Sequence, residues 1–228
     1  MPLRFLRNFE WRYSVLLVSI MSLLVISPFL GTGRVQNNVI AVLFLVILIG
    51  GIYAISGSRR FLIIAWTLMG LSQVANLVYL FHQGPVLLLF RISLFFLFFG
   101  LIGKTILANI LRSGTMTADR IVGAICVYLL MGLGWAMAYS TLESFWPGSF
   151  RIGEEITMLG PGNEGHQFSM FVYYSFVTLS TLGYGDITPV TPPARAFSFL
   201  EAVTGQLYLA VLIAGLVGIH ISHRFRGD

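Results

Sequence analysis

The chain has 228 residues, 57% of them hydrophobic and 10% charged, with a mean hydropathy of +0.85, against about 25% charged residues in a soluble domain. That composition excludes a soluble enzyme and a secreted domain and leaves a membrane protein of one or two modules. The net charge is +5, yet the 14 Lys and Arg form no long basic run of the kind that marks a nucleic-acid partner, and the single Cys126 allows no intrachain disulfide.

Apolar runs lie at about 13–30, 39–56, 61–81, 86–103, 121–142 and 196–221, separated by short breaks rich in Gly, Pro, Asn and Arg. They predict six transmembrane helices in an all-α membrane protein. The first run is too long for a cleavable signal peptide and the second follows closely, so the first reads as a retained anchor. If the spans alternate, Arg4, Arg7, Arg12, Arg59, Arg60, Lys104, Arg112, Arg120, Arg224 and Arg226 fall on one side. Only Arg34, Arg151 and Arg195 fall on the other. The excess of cations puts both termini in the cytoplasm and predicts a multi-pass protein of the plasma membrane. The basic pI then has a topological cause, since Glu143, Glu154, Glu155, Glu164 and Asp186 lie outside.

The segment 168–180 is apolar but too short to cross. Its thirteen residues reach about 20 Å as a helix, against a hydrocarbon core of ~30 Å, so it enters and returns, with Ser169 as candidate N-cap. The stretch after it, Thr-Leu-Gly-Tyr-Gly-Asp, is irregular. Non-helical backbone at membrane depth persists only if it is buried in protein or lines a wet pathway. This segment therefore marks a pore.

Residues 178–186, Thr-Leu-Ser-Thr-Leu-Gly-Tyr-Gly-Asp, resemble the potassium-channel signature, in which backbone carbonyls replace the hydration shell of the ion. The chain is similar to prokaryotic six-transmembrane potassium channels with a single pore loop. The resemblance covers about 121–222 and implies a pore domain 121–228: outer helix 121–142, extracellular loop 143–167, pore helix 168–180, filter 181–186 and inner helix 196–221. Residues 1–108 would form a four-helix domain like a degenerate voltage sensor, joined through a cytoplasmic linker, 109–120. The resemblance implies K+ held at Thr181, Leu182, Gly183 and Tyr184, with Gly185 completing the filter. It also implies support from Thr178, Asp186 and the aromatic pair Tyr173 and Tyr174. One loop per chain and a ring of four loops in such a filter imply a homotetramer. Aiming successive carbonyls inward requires alternating right- and left-handed backbone, which Gly183 and Gly185 permit.

Two positions depart from the pattern. Leu182 stands where Val or Ile is commoner, and Val177 occupies a site where some small bacterial channels carry a Glu paired with the filter Asp. Gly205 matches the hinge glycine of the inner helix in such channels; close helix packing is its other reading. About seven residues follow the inner helix, too few for a cytoplasmic ligand-binding domain. The expected partners are therefore further copies of the chain, membrane lipids and permeant K+, with no organic cofactor and no nucleic acid.

The first four spans lack the apparatus of a voltage sensor. The run 86–103 holds Arg91 alone, and there is no Asp or Glu from residue 11 to 118 to receive a moving arginine. Arg91 is expected to snorkel to the headgroups, and Gln73 and Asn76 to link helices. Thr141 to Phe145 has the look of a sodium filter, but it ends a full span. His220 and His223 lie a turn apart near the inner end, and Glu201 is the lone acid inside a span, placed to bond pore-loop backbone or Arg195 of a neighbour. A transporter needs paired broken helices, and this chain has one break. An intramembrane hydrolase needs paired catalytic groups that are missing, so no enzyme is expected. A transporter and a non-conducting regulatory subunit are the alternatives to a channel.

Overall fold

The computed structural model describes residues 12–30, 33–54, 59–81, 84–112, 118–153 and 164–224. The N-terminal basic arm, the middle of the 109–120 linker and Glu154 and Glu155 lie outside the described residues, as do the side chains of Asn76, Glu164, His220 and His223. The helices are α1 (Arg12–Ile26), α2 (Arg34–Ala54), α3 (Arg59–Phe81), α4 (Pro85–Arg112), α5 (Ala118–Phe145), α6 (Glu164–Leu179) and α7 (Pro192–Arg224). Prolines open α4 and α7, where their missing N–H would have no intrahelical partner in any case. A 3-10 turn, Ser27–Phe29, follows α1, and two short strands, β1 (Phe150–Ile152) and β2 (Ile187–Pro189), lie before α6 and after the loop that follows it.

The fold is thus mostly helical. Among the described residues four helices are long and apolar enough to cross a membrane: Val35–Ala54, Leu89–Ile110, Ala118–Phe145 and Pro192–Gly215. The apolar stretches Tyr13–Phe29 and Phe61–Ala75 are shorter, within 10–17 residues. Helices also run past the apolar segments that predict them. α4 continues from 103 to Arg112 and α7 begins at Pro192, four residues ahead of the predicted 196.

Two compact units emerge. The first holds α1 as far as Met21, α2 from Leu43, α3, α4 and α5 as far as Leu130; the second holds Ser22–Val42, α5 from Met131, α6, α7 and the strands. The division falls inside α5, a continuous helix, and not in the 109–120 linker. In the first unit α3 packs on α4, and Leu16, Ile20, Ile47, Phe98, Ile102 and Ile106 form the buried core. Phe95 meets Phe44 and Phe99 edge to face, with ring centroids 5.7 and 6.1 Å apart. Asp119 ties the start of α5 to α1 by accepting from Tyr13 N at 3.2 Å, and the Cys126 thiol donates to Tyr13 O at 3.4 Å. Cys126 is a buried core residue with no metal or redox arrangement around it among the described residues.

In the second unit α6 packs on α7. β1 pairs antiparallel with β2, with Arg151 opposite Thr188. This ladder, absent from the all-α expectation, clips the segment after α5 to the segment after residues 181–186.

Candidate pore loop

α6 is 16 residues long, about 24 Å of helix and still short of the ~30 Å core. It begins four residues before the predicted 168. Ser169 is therefore not its N-cap: it lies inside the helix, and its hydroxyl donates back to Gly165 O at 3.0 Å. The free amide of Gly165 in the first turn is instead met by Asn37 Oδ1 at 2.8 Å. A cap supplied from α2 satisfies one of the orphan donors of the helix start. Gln36 adds a long 3.4 Å bond from Nε2 to Ser169 Oγ.

At the other end α6 gives way to the predicted irregular segment. Thr181 N donates to Thr178 O at 3.0 Å, and the amides of Leu182 and Gly183 both turn back to Val177 O, at 2.9 and 3.3 Å. Position 177, where no acid is present to pair with Asp186, thus contributes through its carbonyl. Beyond these anchors φ alternates in sign. Thr181, Gly183 and Gly185 have φ of 60°, 61° and 79°, while Leu182 and Tyr184 are not among the positive-φ residues. Alternation of this kind turns successive carbonyls to one side of the chain, whereas a pleated strand points them alternately. The glycines take the left-handed conformation freely. Thr181 does not: a β-branched residue at positive φ is an outlier held by its surroundings. Thr181 is thus a third left-handed position, beside the two that the glycines mark in the sequence.

Asp186 closes the loop. Its Oδ2 accepts from Tyr173 Oη at 2.7 Å, Oδ1 accepts from the Ile187 amide at 3.1 Å, and its carbonyl accepts from Gly153 N at 2.8 Å, next to the ladder. The second tyrosine goes elsewhere. Tyr174 Oη lies 2.6 Å from Ser198 Oγ. Ser198 gives its own hydrogen to Ala194 O at 2.8 Å, so Tyr174 is the donor and ties α6 to α7. The aromatic pair therefore divides its work, Tyr173 toward the loop and Tyr174 toward the inner helix.

Gly205, the expected hinge, sits against the end of α6. A Cβ there would stand 2.7 Å from Leu179 O and 2.8 Å from Leu179 Cδ1, distances at which backbone must move. The geometry provides a packing reason for this glycine. Glu143 is likewise drawn inward: its carboxylate is buried and accepts from Gly148 N at 2.7 Å and Phe150 N at 3.2 Å. It holds the turn before β1, which the sequence offered only as part of an acidic outer loop. Arg91 is half-buried and not without a partner.

Residues 181–186 are exposed in a single copy, Leu182 by 54% and Tyr184 by 66%. The neighbouring face of α7 is also open at Phe199, Val203, Leu207 and Val211.

Residues 121–219 match a protein family described as "Ion channel". A rice protein named two pore potassium channel c is 37% identical over 90 residues, 40% of this chain and 16% of its own length. Arabidopsis thaliana two-pore potassium channel 5 is 38% identical over 56 residues, 25% of this chain and 14% of that one. Voltage-gated potassium channel Kch of Escherichia coli is 27% identical over 155 residues, 68% of this chain and 33% of that protein. Residues 121–219, less than half of the chain, are thus similar to an ion-channel domain, and the relatives named are potassium channels. It spans a third or less of the length of these relatives. No solved structure matches it significantly. The matched segment takes in most of α5, all of α6 and most of α7. A family of ion channels is not a class of enzyme, and the loop after α6 lies wholly inside the matched segment.

Proposed function

We propose that the protein is a potassium-selective channel in which four copies bring residues 181–185 around one axis. Six helices per chain cross the plasma membrane, with both termini in the cytoplasm, α1–α4 forming a four-helix domain and α5–α7 the pore. The observation that carries this reading is the alternation of handedness from Thr181 through Gly185 at the end of a helix too short to cross. Carbonyls of Thr181, Leu182, Gly183 and Tyr184 would then face K+ along the axis. The C-terminal, negative end of α6 favours a cation beside it. Exposed loop and exposed inner-helix face fit further copies, because open polar backbone at membrane depth has to be covered by protein or water. Conduction is passive and draws on no cofactor.

Gly183→Ala and Gly185→Ala test the assignment. A left-handed L-residue costs roughly 1–2 kcal/mol, repeated in each copy, while the space beside both glycines is open within a chain. Assembly should survive and selectivity should not. In planar bilayers the wild-type reversal potential should follow the K+ gradient, and each variant should lose that current. A variant with wild-type K+ over Na+ preference would overturn the filter assignment.

A further inference from the structure

Where α5, α6 and α7 meet lies a polar cluster that conduction as proposed does not use. Glu201 of α7 is 0% exposed. Its Oε1 is 2.5 Å from Ser175 Oγ on α6 and its Oε2 is 2.5 Å from Tyr139 Oη on α5. Ser175 Oγ is also 2.7 Å from the carbonyl of Gly132 on α5. Gly132 admits this approach by lacking a side chain, since a Cβ would stand 2.7 Å from Phe176 Cζ. Aromatic rings enclose the cluster. Tyr139 has Trp135, Phe150, Phe171 and Tyr174 around it, at centroid distances of 6.1, 5.3, 6.2 and 5.0 Å.

Three oxygen–oxygen links need three hydrogens. The Gly132 carbonyl can only accept, and Ser175 and Tyr139 bring one hydrogen each. With Glu201 ionised, one of the two links at Ser175 would set lone pairs against lone pairs, or both would share one hydrogen and weaken. Neither is sustainable among buried groups, where an unmade bond carries the full desolvation cost. A hydrogen on Glu201 completes the set. Glu201 then donates to Ser175, Ser175 donates to Gly132 O, and Tyr139 donates to the other carboxyl oxygen. No Lys, Arg or His of the described residues pairs with Glu201; the titratable groups facing it are the phenols Tyr139 from α5 and Tyr174 from α6. A buried carboxylate without a cation is far costlier than a neutral acid.

We infer that Glu201 is carried as a neutral carboxylic acid and is the positioning residue that joins α5, α6 and α7, fixing the pore helix and so the loop at its end. Its effect on conduction rests on the proposed channel function; its protonation does not. The test has two arms. At neutral pH the infrared difference spectrum of wild type minus Glu201→Gln, on purified protein in liposomes, should contain the carbonyl stretch of a protonated carboxylic acid. Carboxylate bands in its place would overturn the inference. In the same liposomes Glu201→Gln should keep rubidium flux within about twofold of wild type, because its amide can donate to Ser175 and accept from Tyr139, whereas Glu201→Ala should lose about tenfold or more. Ser175→Ala, a smaller excision that removes the link to Gly132, should fall in the same direction and serves if Glu201→Ala does not assemble. A Glu201→Gln loss as large as that of Glu201→Ala would refute the neutral acid, and full flux in both Ala variants would refute positioning. Absence of flux in the wild type would instead count against the channel reading, and the infrared band would still decide the protonation.

Discussion

Thr181 and Gly205 are the residues at which side-chain chemistry and backbone geometry conflict most directly. Thr181 sits at φ 60°, a conformation that costs roughly 1–3 kcal/mol when not a glycine, yet its hydroxyl is one of the oxygens a dehydrated cation would use. Thr181→Gly should relieve the backbone and still reduce K+ conductance, a combination that thermal stability and single-channel current measured together would reveal. Gly205 lies where an added Cβ meets Leu179 O at 2.7 Å. A pure hinge predicts that Gly205→Ala lowers open probability and leaves selectivity intact. The contact predicts more: the end of α6 must shift, so the K+ over Na+ permeability ratio should fall as well. Bi-ionic reversal potentials separate the two, and unchanged selectivity with lowered open probability would return Gly205 to the hinge. Tyr173→Phe removes the donor to Asp186, a bond to a charged group worth about 1.5–3 kcal/mol. Its expected outcome is shorter openings of unchanged selectivity in single-channel records.

Among the elements, α6 shows what the sequence could and could not disclose. Its shortness, the loop after it and the Tyr173–Asp186 pairing follow from local order in the chain, since those residues are close in sequence and the glycine spacing dictates the backbone. Its start does not. Glu164 to Gln167 read as polar loop, and the helix extends over them because Asn37, far away on α2, caps Gly165 N. Asn37→Ala should therefore destabilise the protein by about 0.5–2 kcal/mol, seen as a lower unfolding temperature in detergent, and an unchanged temperature would remove the cap from this account. The β1–β2 ladder has three residues a side, too few to produce a periodic signal. Tyr139 was equally illegible: one tyrosine in an apolar run looks like any aromatic, and only its bond to Glu201, 62 residues on, distinguishes it. Glu201 itself stood out as the sole acid inside a span, a position that demands a partner without saying which.

For the whole molecule, charge limits what the first four helices can do. Carrying one charge across the full field yields about 2.3 kcal/mol per 100 mV, and steep gating moves 3–4 charges in each of four subunits. The fourth helix has Arg91 in its apolar run, and no Asp or Glu lies between Glu10 and Asp119, so conductance should vary only weakly with voltage and change little in Arg91→Gln. A steep conductance–voltage curve that flattens in that variant would show that a single arginine senses voltage. All of this stands on the channel itself. The most direct measurement is uptake of tracer rubidium into liposomes loaded with KCl and diluted into a K+-free medium. The account predicts rapid concentrative uptake, collapsed by a K+ ionophore, absent when NaCl replaces the internal KCl, and abolished by Gly183→Ala. Uptake that is equal with internal Na+, or that survives Gly183→Ala, would contradict it.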